Sequence, residues 1–235
     1  MNYFIQLADN IYVRCKIVAI HVKLCPALTL PQMTKQAIAA LREDPDLAPL
    51  VEEYGPMTIE PAEDFFARFV VSILRQQVSM ASAAATRERL FEAVEVTPEG
   101  ILAADPELLQ DVGLSRAKTE YVKNVAEAFV ERGYSQAYFA DMTDAEVLAE
   151  LTSIKGVGEW TANMQLMFSL GRPDVFPVGD LGIRKGMRAL FGEDLTRTEM
   201  VEIAERWSPY RSYASLYLWR ADEDITESVG EVNQR

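Results

Sequence analysis

The residues best placed to do chemistry lie between Leu148 and Asp180, in the run LAELTSIKGVGEWTANMQLMFSLGRPDVFPVGD. Gly156 and Gly158 stand one residue apart between two helical patterns, the first ending near Ile154 and the second starting at Glu159. Both glycines can take positive φ without a Cβ penalty. The chain can therefore turn within Lys155 to Gly158 and leave the first backbone N–H groups of the next helix unpaired. Such donors, at the positive end of a helix dipole, suit a phosphate. A tight turn between two helices with no ligand satisfies the same spacing. Further on, Asp180 stands where a Gly/Pro-rich loop, Gly171 to Gly179 with Pro173 and Pro177, meets another helical pattern. An aspartate there is a preferred helix cap, and a capping carboxylate is also a rigidly held one.

The helix, glycine hairpin, helix, Gly/Pro-rich loop and aspartate together resemble the helix-hairpin-helix DNA glycosylase superfamily. Within it, the segment GVGEWTAN is similar to the alkylation-repair branch, the 3-methyladenine DNA glycosylase II type. Two further blocks carry the likeness: ILRQQVS at Ile73 to Ser79 and WSPYRSYASLYLW at Trp207 to Trp219. The resemblance spans roughly Ala62 to Trp219. Three separated blocks in the expected order are a far stronger signal than a hairpin alone.

The resemblance implies a monofunctional glycosylase of base excision repair that hydrolyses the N-glycosidic bond of flipped-out alkylated purines in duplex DNA. Such hydrolysis passes through an oxocarbenium-like sugar, and the family role of the carboxylate beside C1′ falls on Asp180. Relatives that also cut the backbone carry a lysine two residues after the second hairpin glycine, an amine for a Schiff base. Here that position is Trp160, and Lys155 is expected to be solvated or near DNA phosphate. The match places Trp160, Trp219 and Met164 on the wall of the base pocket, where indole faces would favour cationic lesions by ~0.5 to 2 kcal/mol. Met164 replaces a frequent aromatic with a softer wall. Gln77 falls at the wedge that enters the vacated helix space, where relatives use an apolar side chain. Gly156, Gly158 and Thr161 are matched to phosphate-binding amides. The carbonyls of Thr152, Ile154 and Val157 are matched to a structural Na+ or K+, with no other cofactor required. Arg211 and Tyr213 are expected to brace Trp219. Each residue also has an ordinary reading: indoles on helices pack cores, and a glutamine at a helix end faces water.

Composition narrows the classes. The 235-residue chain is 49% hydrophobic, enough for a sizeable core in one domain or two small lobes. Two cysteines, Cys15 and Cys25, cannot supply four thiolates for an iron–sulfur cluster. One histidine, His21, makes a zinc site or a hydrolase triad hard to assemble. These counts fit a reducing cytoplasm. No apolar run reaches a membrane span, and nothing points to an oligomer, so a monomer is expected. The net charge of −13 opposes phosphate binding, which gains affinity from cationic side chains. A high-salt cytosol, where screening shortens to a few ångströms, reconciles that charge with a DNA partner.

The expected architecture is all-α, two helical lobes around a DNA-binding cleft. Residues 1 to 32 differ from the rest, holding both cysteines and the histidine. The run Ile11 to Leu24 could form a strand or hairpin. This segment is set apart as an extension, with translation from Met33 an alternative, and residues 33 to 235 form the glycosylase domain. Thr34 is expected to cap a first helix reaching Arg42, Pro61 to open the apolar stripe Phe65 to Leu74, and Ser79 to cap the segment that continues to Val94. Thr97-Pro98 and Asp105-Pro106 open short helices, Ala117 to Arg132 is amphipathic, and Thr143 to Glu146 forms a capping box. The second hairpin helix is expected to end at Gly171, with further helices from Leu181, Thr198 and Pro209. Two other readings stay open: a non-catalytic helix-hairpin-helix module that docks DNA, and a glycosylase for a different damaged base.

Overall fold

The computed structural model describes residues 30–232 of the chain. The strand or hairpin expected over Ile11 to Leu24, with Cys15, His21 and Cys25, lies outside the described residues. Every regular element among those described is helical. In order they are α1 (Leu30–Arg42), α2 (Ala48–Tyr54), α3 (Phe65–Leu74), α4 (Met80–Ala93), α5 (Pro98–Ala103), α6 (Pro106–Asp111), α7 (Arg116–Arg132), α8 (Asp144–Thr152), α9 (Glu159–Phe168), α10 (Leu181–Phe191), α11 (Arg197–Ala204), a 3₁₀ turn (Glu205–Trp207) and α12 (Arg211–Val232).

Two cores divide these helices into two lobes. One is built on α3 to α9 around Phe65, Phe69, Phe129 and Phe139, whose rings pack largely edge to face. The other joins α1, α2 and α10 to α12 around Leu41, Trp207, Tyr213 and Tyr217. Phe168 and Trp219 pack against both. The junction between the lobes is thus aromatic, and the loop from Gly171 to Asp180 crosses it.

Short polar side chains set most helix starts. Ser79, Thr97, Asp105, Ser115, Thr143 and Asp180 each accept a backbone N–H from the first turn. Several expected boundaries move, and the last helix starts at Arg211 rather than Pro209. Thr34 lies inside α1, buried, with its hydroxyl 3.5 Å from Tyr213 Oη. Asp64, not Pro61, opens α3 by accepting the Ala67 N–H, because an aspartate satisfies an orphan donor that proline cannot. Helix α9 stops at Phe168, where Ser169 follows as the cap and turns its hydroxyl back to Gln165 Oε1. Thr196, not Thr198, caps α11 through a capping box with Glu199.

Helices α10 and α12 lie very close. A Cβ on Gly186 would sit 2.2 Å from the Leu218 carbonyl oxygen, and one on Gly182 would sit 2.7 Å from Trp219 Cδ1. Two glycines one turn apart therefore let α10 rest directly on the helix that carries Trp219.

Candidate active site

Asp180 caps α10 and is half-buried at the junction of the lobes. Its Oδ1 accepts the Ile183 backbone N–H at 3.0 Å and the Trp219 indole N–H at 2.9 Å, and its Oδ2 accepts the Trp160 indole N–H at 2.6 Å. These donors come from three helices, α10, α12 and α9, so both lobes orient one carboxyl group. Trp160 and Trp219 are themselves half-buried, and the Trp219 ring lies 5.9 Å from Phe168, tilted by 30°. Leu181, directly after the carboxylate, is 58% exposed at the first turn of α10. A leucine there reads as core from sequence, so its exposure had no signal.

The loop before Asp180 is fastened to both lobes. Arg172 Nη2 donates to the carbonyls of Phe139 and Met142, each at 2.8 Å. Two residues on, Asp174 accepts from Arg211 Nε at 2.8 Å, Arg211 Nη2 at 3.0 Å and Ser208 Oγ at 2.8 Å. Arg211 therefore braces this loop rather than Trp219, as its fork matches the nearer carboxylate. Tyr213 lies in the second core, with its hydroxyl near Thr34.

The glycine hairpin joins α8 to α9. Gly156 has φ 98°, and its missing Cβ leaves room for the Tyr121 ring, which a Cβ would approach to 2.2 Å. Gly158 does not use positive φ. It is extended at φ −91° and ψ 175°, because one left-handed residue suffices to reverse the chain. A Cβ there would meet nothing within 4 Å, so the space before it is open. No side chain caps α9, whose first amides include that of Thr161. Gln76, unassigned from sequence, holds the turn in place. Its Nε2 donates to the Gly156 carbonyl at 3.0 Å and to Thr161 Oγ1 at 2.9 Å. Asn124 Nδ2 donates to the Lys155 carbonyl at 3.0 Å, and the exposed Lys155 ammonium pairs with Glu120. The Ile154 carbonyl accepts the Val157 N–H at 3.0 Å, whereas no turn or loop amide among the described residues reaches the Thr152 and Val157 carbonyls.

Two further expected site residues lie on either side of this region. Gln77 is exposed between α3 and α4 with φ 56°, a left-handed conformation rare outside glycine. Met164 is 5% exposed within the first core, one turn from Trp160.

The family model for the HhH-GPD superfamily base excision DNA repair protein matches residues 70–211. DNA-3-methyladenine glycosylase 1 of Schizosaccharomyces pombe is 32% identical over 193 residues, covering 78% of this chain and 84% of that protein. The solved S. pombe 3-methyladenine DNA glycosylase in complex with abasic DNA superposes with a TM-score of 0.73 at 29% identity, over 79% of this chain and 95% of that one. DNA-3-methyladenine glycosidase of Bacillus halodurans superposes with a TM-score of 0.71 at 32% identity, over 81% and 91%.

Proposed function

This chain belongs to the HhH-GPD superfamily of base excision DNA repair proteins, and from that premise we propose that it is a monofunctional DNA glycosylase releasing alkylated purines of the 3-methyladenine type from duplex DNA. The observation that carries this reading is the Asp180 carboxyl group, held by two indole N–H donors and a helix amide beside an aromatic junction. Binding such a base requires flipping its nucleotide out of the stack. The sugar C1′ then lies against Asp180, whose carboxylate stabilises the developing oxocarbenium ion and orients the attacking water. The indole edges are spent on the carboxylate, which leaves their ring faces for the base.

Trp160 stands where a lyase needs an amine, and Lys155 is paired with Glu120. The product is therefore an abasic site with an intact backbone. The open amides of the hairpin suit the backbone of the lesion strand, and Gln77 suits the space left by the flipped nucleotide. Main-chain carbonyls of Thr152, Ile154 and Val157 fit a Na+ or K+, since the first and last accept no turn or loop amide among the described residues. Such an ion would stiffen the turn. The protein acts as a monomer on DNA in the cytoplasm.

The test is release of free base from methylated duplex DNA by the wild type and by Asp180→Asn. Wild type is expected to release 3-methyladenine, with the variant slower by about a thousandfold, as for loss of a preorganised charge at a reacting centre. Equal rates would remove the carboxylate from the mechanism. Borohydride should trap no protein–DNA adduct.

A further inference from the structure

Helices α3 and α4 together line a groove of about 370 Å³, bordered among others by Arg68, Val71, Arg75, Met80, Arg87 and Phe91. In a chain of net charge −13, three guanidinium groups converge here. None of them forms an ion pair among the described residues. Instead, Arg68 lies 4.9 Å from the Phe168 ring centre, Arg87 lies 4.9 Å from that of Phe91, and Arg75 Nη2 donates to Met80 Sδ. The Arg68 Nε is shielded from solvent with no hydrogen-bond partner. Burial, and then the charge of Arg75, lower the Arg68 pKa from its usual value. A bound anion would satisfy the orphan donor and relieve both costs.

The groove's surroundings say which anion. Arg75 and Met80 bracket Gln77, and the neighbouring Gln76 side chain reaches the hairpin. Gln76 follows the end of α3 and reaches the hairpin while Arg75 lines the groove, so the groove and the hairpin contact flank the turn that carries Gln77. Val78, Met80 and Phe91, exposed by 44%, 65% and 38%, form an apolar fringe along the same edge.

We propose that this groove binds phosphodiester groups of the DNA strand opposite the lesion, as a second backbone grip across Gln77 from the glycine hairpin. This rests on the glycosylase reading. Arginine forks match phosphate oxygens bidentately, and the apolar fringe faces sugar edges. A few converging cations let an acidic protein close on a polyanion from both strands.

The experiment measures affinity of the full-length protein for a duplex carrying a tetrahydrofuran abasic-site analogue, across a potassium chloride series. Wild type is compared with the double variant Arg75→Gln, Arg87→Gln. Each lost phosphate contact removes about 0.9 from the slope of log affinity against log salt. The variant should bind about tenfold more weakly in low salt, with a slope shallower by roughly 2, while base release at saturating enzyme stays within about twofold. Neutral methylphosphonate linkages opposite the lesion should weaken wild type and leave the variant unaffected. An unchanged slope, equal weakening of both proteins, or an effect confined to lesion-strand linkages overturns the proposal. If wild type releases no base and the variant's slope still falls, the groove stands and the glycosylase reading fails.

Discussion

The Trp160 indole nitrogen lies 2.6 Å from Asp180 Oδ2, and this bond ties the first helical turn after the glycine hairpin to the carboxylate of the opposite lobe. A DNA backbone seated on the hairpin amides would therefore bear on the same helix that aims the carboxyl group.

Trp160→Phe keeps an aromatic face and deletes the donor. A hydrogen bond to a charged group contributes about 1.5–3 kcal/mol, so single-turnover base release should slow by roughly tenfold to a hundredfold. DNA affinity should change little. Unaltered release would mean that Ile183 and Trp219 suffice to hold Asp180.

Gly182→Ala separates stability from activity. Alanine is favoured over glycine within a helix by about 1 kcal/mol, yet its Cβ would lie 2.7 Å from Trp219 Cδ1 and 3.3 Å from Asp180 Oδ1. The Trp219 indole must shift off the carboxylate. Base release is expected to fall at least tenfold with thermal stability reduced by less than about 2 kcal/mol, read by calorimetry beside single-turnover kinetics.

Asp174→Ala removes one tie between the loop and the second lobe and leaves those made through Ser212. It leaves the Arg211 guanidinium with Glu205 alone, at 2.8 Å. A half-buried pair lies between exposed and buried cases, so the loss is expected to be about 2 kcal/mol in chemical denaturation. Slower base release should accompany it, because Asp180 ends the same loop.

The chemistry-bearing residues were legible where chemistry restricts residue type. An aspartate at a loop–helix boundary, tryptophan in place of a lyase lysine, and glycine in a hairpin all carry meaning in one dimension. Asp180, Trp160 and Trp219 do converge. What sequence could not display were contacts between distant helices: Gln76 reads as a polar helix end until it is seen bonded to Gly156 and Thr161. Gly182 reads as a weak helix residue until Trp219 is seen pressed against it. Boundaries moved where a nearby competitor capped better, as Asp64 did over Pro61 and Thr196 over Thr198.

Acid should destabilise the protein partly through its two capping boxes. Backbone and side-chain hydrogen bonds from Thr143 hold Glu146 below the usual glutamate value, and the Thr196 hydroxyl and then its N–H do the same for Glu199. Glu150 is also lowered, first by the Tyr134 hydroxyl. A depressed folded pKa means that the unfolded chain takes up protons first as pH falls. The stabilisation is complete above the ordinary glutamate range and is lost as pH drops through the lowered folded values. Glu146→Gln with Glu199→Gln keeps a capping geometry but removes both titrations. The stability of this variant, measured by denaturant titration, should fall less steeply below about pH 4.5 than that of wild type. Parallel acid limbs would show that these boxes do not contribute to the pH dependence.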